Sequence, residues 1–300
     1  MNALMNSIIE TSDNQIMNSS ISQAISGEMF KIEDGFSALA FRDKNFSGTM
    51  DPLVMVDHYT MTKPTFGAHP HAGLSAVSVI FEDSEGLFHN RDSLGNDFDI
   101  MPGDLYWLKA GSGAIHDESP REGSTIHGLQ VFVNLPSDQR MSTPKSLHVK
   151  AENMPHIECE GSRVRVVLGQ SNGIVGEQSP ALPMTILDGK INSNKTFSHQ
   201  LQIGENAWFY VVKGELLVLI DGKHVRLSSG QAVSVSEVSS DTELVMHVVN
   251  PCAEQAHFAL FAGKPVNEPY IQKGPFLMGS ETEIAQIESD YSAGKLGKLV

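Results

Sequence analysis

VSVIFEDSEGLFHNRDSLGNDFDIMPGDLYWLKAG, residues 77 to 111, sets the fold class. Runs of β-branched and aromatic residues of strand length are broken by an acidic Gly turn, then by Leu94-Gly95-Asn96, then by Pro102-Gly103-Asp104. That cadence predicts an all-β sandwich or barrel. A shorter echo, WFYVVKGELLVLIDGKHVRLSSGQAVSVS (208 to 236), follows the same order of strand, turn, strand, polar turn, strand, glycine turn and strand. Repetition of one supersecondary unit predicts two related β modules in tandem. Helical patterns of the length that alternate with strands in parallel α/β sheets are absent between Phe30 and Gly263, so a doubly wound fold is a poor candidate.

Working outward, residues 1–26 are rich in Ser, Asn and Gln and read as a poorly specified N-terminal arm. A first module is expected over 27–150 and a second over 151–275, with the polar, proline-containing segment 137–158 crossing between them. Over 276–300 the character changes: Ser280-Glu281-Thr282-Glu283 is a capping box opening a short helix, IAQIESDY, which is expected to lie against the body.

Hydrophobic residues make up 40% of the 300-residue chain and charged residues 19%, the profile of a globular protein with a substantial core. The 36 acidic residues against 21 basic ones give a net charge of −15, which repels phosphate backbones and argues against direct nucleic-acid binding. No stretch approaches the roughly 18 consecutive apolar residues of a membrane span. The first basic residue is Lys31 and no apolar export segment precedes it. The two cysteines, Cys159 and Cys252, form no paired motif, and a reducing, cytoplasmic setting is expected.

Two segments carry chemistry: FGAHPH (66–71) and GSGAIHDE (111–118). Each holds two potential ligands at spacing i, i+2, and in a strand residues two apart point to the same face. Two such strands can converge on one ion with three imidazoles and one carboxylate, from His69, His71, His116 and Glu118. Mixed nitrogen and oxygen donors with open positions suit Fe(II), taken first, and also Mn, Ni, Cu or Zn. Open positions are what admit a substrate or dioxygen. Pro70 cannot donate to a ladder and marks an edge or irregular stretch.

AHPHAG (68–73), HNRDSLGN (89–96), PGDLYWLKAGSGAIHDE (102–118) and HGLQVFVNLP (127–136) together resemble the pirin family, densely over 51–136 and in a looser layout elsewhere. The resemblance implies two tandem cupin barrels, double-stranded β-helices, with the short C-terminal helix following. It implies that the N-terminal barrel holds one mononuclear metal ion through His69, His71, His116 and Glu118, and that the C-terminal barrel holds none. It further implies either a quercetin 2,3-dioxygenase type of oxidoreductase acting on a flavonol, with Glu118 the candidate catalytic base, or a metal- or redox-dependent regulatory protein that binds a protein partner without turnover. One departure is plain: the usual HPHRGFE reads HPHAGLS here, so a basic and an acidic residue are lost, and Ser75 cannot replace a carboxylate ligand.

Other residues are read as structural. His58 is expected to be a core or surface group, with the pocket mouth as its alternative place. His127 and Gln130 fall on opposite strand faces, so only one can look into a barrel. His89 and Arg91 are expected to decorate a hairpin, Trp107 to fill barrel core, and His199, alone on its strand, to be no second metal centre.

Overall fold

The computed structural model describes residues 19–237 and 244–299. They form two cupin barrels, each built from a large and a small antiparallel sheet. In the first, the large sheet runs in the order Lys145–Val149, Leu105–Lys109, Leu74–Ile80, Ile126–Asn134, Leu53–Met61, Phe36–Arg42 and Glu28–Ile32. The small sheet orders His69–His71, Ala114–Pro120, Phe88–Asp92 and Asp97–Ile100. In the second barrel, the small sheet orders Thr196–Leu201, Leu244–Val249, Glu215–Ile220 and Lys223–Ser228, the same relative places.

The repeat in the sequence is the repeat in the fold. Leu74–Ile80 and Leu105–Lys109 pair in the large sheet around the hairpin Phe88–Asp92 and Asp97–Ile100 of the small one. Asn206–Lys213 and Gln231–Glu237 pair in the same way around Glu215–Ile220 and Lys223–Ser228. The echo is shorter because residues 81–87 connect large to small sheet in the first barrel, where Gly214 alone does so in the second.

Every residue of Leu74–Ile80 is buried, because both faces of its sheet are covered. Ile80, Tyr106 and Leu108 point into the first barrel beside Phe88 and Ile100. Val77, Val79, Leu129 and Val131 point the other way and pack on Ile186, Trp208, Tyr210 and Phe261 of the second barrel. A strand covered twice loses the polar alternation of a solvated sheet, which is why these runs read as continuously apolar. Trp107 belongs to this layer between the barrels, and not to the barrel interior where the sequence placed it; its neighbours Tyr106 and Leu108 take the inward positions. Trp208 stacks on Tyr210 with ring centroids 5.3 Å apart, and Phe41 meets the two edge-on at 5.4 and 5.2 Å.

A buried ion pair of the second barrel also reaches across the layer through Arg165. Arg165 of the second barrel donates to the Gly103 carbonyl of the first at 2.6 Å and to Asp188 at 2.5 Å, and His257 contacts the other Asp188 oxygen at 2.5 Å. Burial works against the Asp188 charge, but Arg165 and His257 hold its carboxyl below the usual range.

Both ends of the described residues are tied down. The arm expected over 1–26 lies partly outside the described residues; within them, Ser19–Ile21 and Ile25–Ser26 pair with Gln231–Glu237 and extend the large sheet of the second barrel. At the other end, Ser280 caps the helix Glu281–Ser292 by accepting from the Glu283 amide, as the capping box predicts. Its buried residues Ile284 and Ile287 pack on Ala72, Phe276 and Met278, so the helix lies on the first barrel although it follows the second. Gly73 permits this approach: at φ +74, a Cβ there would sit 1.7 Å from the Leu277 carbonyl oxygen. None of the described helices is long and apolar enough to cross a membrane.

Trp208→Ala is expected to cost about 3–5 kcal/mol, the range for emptying a buried tryptophan site. Because the layer belongs to both barrels, urea denaturation should show one shifted transition and not the loss of the second barrel alone.

Candidate metal centre

The strand His69–His71 is three residues long and has one neighbour, Ala114–Pro120. Proline is tolerated there because an edge strand leaves one side without ladder bonds. The register sets His69 opposite His116, Pro70 opposite Ile115 and His71 opposite Ala114. His69 and His71 therefore share a face with His116 and Glu118, and the imidazoles meet. His71 Nε2 lies 3.0 Å from His116 Nε2, which lies 3.1 Å from His69 Nε2. Among the described residues these three side chains form the one cluster that could hold a metal ion, their ligand atoms all within 4.8 Å of one another.

The cluster fits a cation better than it fits itself. His69 donates from Nδ1 to the Gly67 carbonyl at 2.8 Å, which leaves its Nε2 lone pair facing the cluster. The Nδ1 atom of His116 is buried without a hydrogen-bond partner, and the His71 ring faces the Pro275 backbone carbonyl. Burial lowers the pKa of all three imidazoles, to about 3 for His71 and well below the usual value for His116, so each stays neutral, the form that ligates. Bonds of about 2.0–2.1 Å to one ion would set adjacent nitrogens about 3 Å apart, the spacing found here.

Glu118 is 7% exposed and lies on the same wall, but it does not join the three nitrogens within that 4.8 Å. Ser78 donates to its two oxygens at 2.8 and 3.0 Å and also reaches Gln130 Oε1 at 3.2 Å. Burial pushes the Glu118 carboxyl up to about 7, with Asp117 and Asp92 adding repulsion and Ser78 opposing it.

These groups floor a cavity of ≈ 430 Å³, within the range of about 300–1,000 Å³ usual for small-molecule sites. Its walls are mostly apolar, with Phe36, Phe66, Phe88 and Phe132 prominent, and Pro275 of the C-terminal segment closes one side. Tyr59 lines it too, and its hydroxyl is buried without a partner. Asp57, also in the lining, is held by Arg42 at 2.5 Å.

Ser78, Tyr59 and Pro275 were not singled out by sequence reasoning. Ser78 carried one signal, a polar residue within the apolar run LSAVSVI. Pro275 carried none, since it arrives from beyond the second barrel. Of the pair on opposite faces, Gln130 looks into the cavity and His127 looks out. Ser75 is fully buried on the face shared with Val77, away from the cavity. Ala72, where the family resemblance led to the expectation of a basic residue, is sealed beneath Phe276 and Met278.

His58 is not at the pocket mouth. It faces the second barrel, with Nδ1 2.5 Å from Tyr210 Oη and Nε2 2.6 Å from His127 Nε2; His127 in turn contacts Asp83 at 2.8 Å. His89 and Arg91 pair with Asp97 and Asp117 on the hairpin.

Comparison with known proteins identifies the family and the fold. Residues 23–133 match the Pirin family profile and residues 186–297 the Pirin C-terminal cupin domain. Human Pirin is 31% identical over 249 residues, covering 83% of each protein. The crystal structure of a quercetin 2,3-dioxygenase from Acinetobacter baumannii superimposes with a TM-score of 0.81 at 26% identity, over 94% of this chain and 100% of that one. The bacterial pirin YhhW from Escherichia coli, solved in complex with nickel(II), shares the fold at a TM-score of 0.61 and 19% identity, over 82% of this chain and 99% of that one.

The buried imidazoles predict a pH dependence for the metal-free protein. His58 and His71 titrate near about 3 and His199 near about 4 when folded, against roughly 6.5 unfolded. Below the unfolded value, the unfolded chain binds protons that the folded one refuses, so stability falls as pH falls, by up to roughly 1.4 kcal/mol per pH unit for each imidazole. Glu118 works in the opposite sense between the usual glutamate value and about 7, as do Asp43, Asp57 and Glu205, whose carboxyls burial also raises, while Asp188 and Glu82, held low by basic partners, lose stability with the imidazoles as pH falls. Urea midpoints should therefore drop from pH 7 to pH 4.

Proposed function

The chain belongs to the pirin family, and from that premise we propose that His69, His71, His116 and Glu118 hold one transition-metal ion, Fe(II) first and Mn, Ni, Cu or Zn as substitutes, in an oxidoreductase of the quercetin 2,3-dioxygenase type. The observation that carries the proposal is three neutral imidazole nitrogens converging at the floor of an apolar cavity that also holds a buried carboxyl and an unpartnered phenol.

When bound, such an ion supplies a Lewis acid with open positions, which acidifies a substrate hydroxyl and brings substrate and dioxygen together. The protein's own residues do the rest. Phe36, Phe66, Phe88 and Phe132 offer apolar walls to a flat polyphenol and exclude water. Tyr59 donates its free hydroxyl to a substrate oxygen, since a buried donor without a partner is costly until it finds one. Glu118 is also placed to accept the substrate hydroxyl proton, and Ser78 keeps it oriented. Free Cys159 and Cys252 suit a cytoplasmic setting for this chemistry.

The test is depletion of quercetin by metal-loaded protein, followed by loss of flavonol absorbance. Turnover is expected in air and not under argon. Glu118→Ala should lower the rate by about 100-fold or more, and Tyr59→Phe should raise KM with a smaller effect on kcat. A protein that loads one metal per chain yet leaves quercetin untouched in air would sink the enzyme reading and leave a metal-dependent binder of a protein partner.

A further inference from the structure

The second barrel keeps the scaffold of the first without its ligands. Thr196–Leu201 pairs with Leu244–Val249 at the edge of the small sheet, as His69–His71 pairs with Ala114–Pro120. There His199 stands opposite Met246, where the first barrel sets His69 opposite His116. One imidazole facing a thioether is no metal set. The barrel mouth is nevertheless a cavity, ≈ 400 Å³ against ≈ 430 Å³ for the metal pocket.

Its lining has a distinct chemistry. Leu182, Pro183 and Met184 form an apolar side, while Thr185, Glu205 and Lys264 are among the polar groups. His199, also in the lining, is only 3% exposed. Its Nδ1 lies 2.9 Å from the Ser171 hydroxyl, and its Nε2 is buried with no partner. The Ser171 hydroxyl can turn to donate to Nδ1, and the ring proton then sits on Nε2. Burial lowers the ring's pKa to about 4, so at neutral pH this is an uncharged N–H donor that lacks an acceptor. The Lys264 ammonium, at an exposed position, makes no ion pair within 4.0 Å among the described residues.

We propose that the mouth of the second barrel is a metal-independent binding site for a small organic carboxylate, its oxygen accepting from His199 Nε2, its charge met by Lys264, and its apolar body lying on Leu182, Pro183 and Met184. The buried N–H, the ammonium and the apolar side select for that class, and Glu205, close enough to Lys264 to feel its charge, limits the negative charge the site accepts. A cation would meet an ammonium and an N–H donor. A doubly charged phosphate would bring a second negative charge beside Glu205, with one lysine in the lining to offset it. A neutral apolar molecule would leave the buried N–H unpaired.

The two pockets can be told apart by methionine. Met184 lines this one, and Met55 and Met61 line the metal pocket. The full chain, labelled with methyl-¹³C methionine and loaded with metal, is titrated with benzoate and in parallel with benzyl alcohol, an uncharged analogue of similar size. Saturable movement of the Met184 methyl signal by benzoate is expected, at least about tenfold stronger than by benzyl alcohol, as loss of a charge-assisted hydrogen bond implies. Removing the metal should not change it. Lys264→Ala, a surface substitution that leaves the core intact, and His199→Leu should each weaken benzoate binding by about fivefold or more. The proposal is overturned if only Met55 and Met61 respond, if the two probes bind alike, or if folded Lys264→Ala and His199→Leu proteins bind benzoate as the parent does.

Discussion

The chemistry of the first barrel rests on the register of a three-residue edge strand. His69–His71 could slide on Ala114–Pro120 by one residue at little cost in backbone hydrogen bonds, and that slip would turn both of its imidazoles away from His116. Two features hold the register. Ser112 donates to the Ser142 carbonyl and Gly73 to the Gly111 carbonyl, fixing the turn beyond the strands. The C-terminal segment then locks the other side, with Leu277 donating to the Ala72 carbonyl at 3.0 Å and Phe276 bridged to Ala72. A segment from beyond the second barrel thus clamps the strand that carries His69 and His71.

That clamp depends in turn on how the barrels are fastened together. The segment can reach the first barrel only because the second is packed on the outside of the large sheet, through Trp107, Trp208, Tyr210 and Phe41. The layer leaves both tryptophan N–H groups without partners, a polar cost accepted for shape and area. Arg165, threaded through the layer to the Gly103 carbonyl, adds a directional contact to a non-directional interface. Fold and site are in this sense one problem, since the sheet that lines the pocket on one face carries the barrel interface on the other.

Much of this was legible in the sequence. The repeated strand and turn cadence gave two β modules, and the i, i+2 spacing put His69, His71, His116 and Glu118 on shared faces, because strand periodicity is local and strict. What the sequence could not show was which face of a doubly buried strand looks inward. Trp107 and Tyr106 are equally apolar in such a run, and only the docking of the second barrel distinguishes them. Contacts across long separations were invisible for the same reason, as with Pro275 beside the metal pocket, Tyr210 on His58 and Ser19–Ile21 on the far barrel. Glu118 was found as a residue but not as a geometry: its spacing placed it on the right wall, and its engagement by Ser78 became visible only in three dimensions.

The two barrels show how little separates a metal site from a plain pocket on this scaffold. The second keeps the strand order and a cavity of similar size, and differs at the few inward positions of two short strands. The central claim, that the first barrel's positions hold a metal, is tested most directly by X-ray absorption at the metal edge of the loaded protein. The account predicts one ion per chain with a first shell of three imidazole nitrogens and added oxygen donors. A shell with sulfur, or an imidazole count unchanged in His116→Ala, would contradict it.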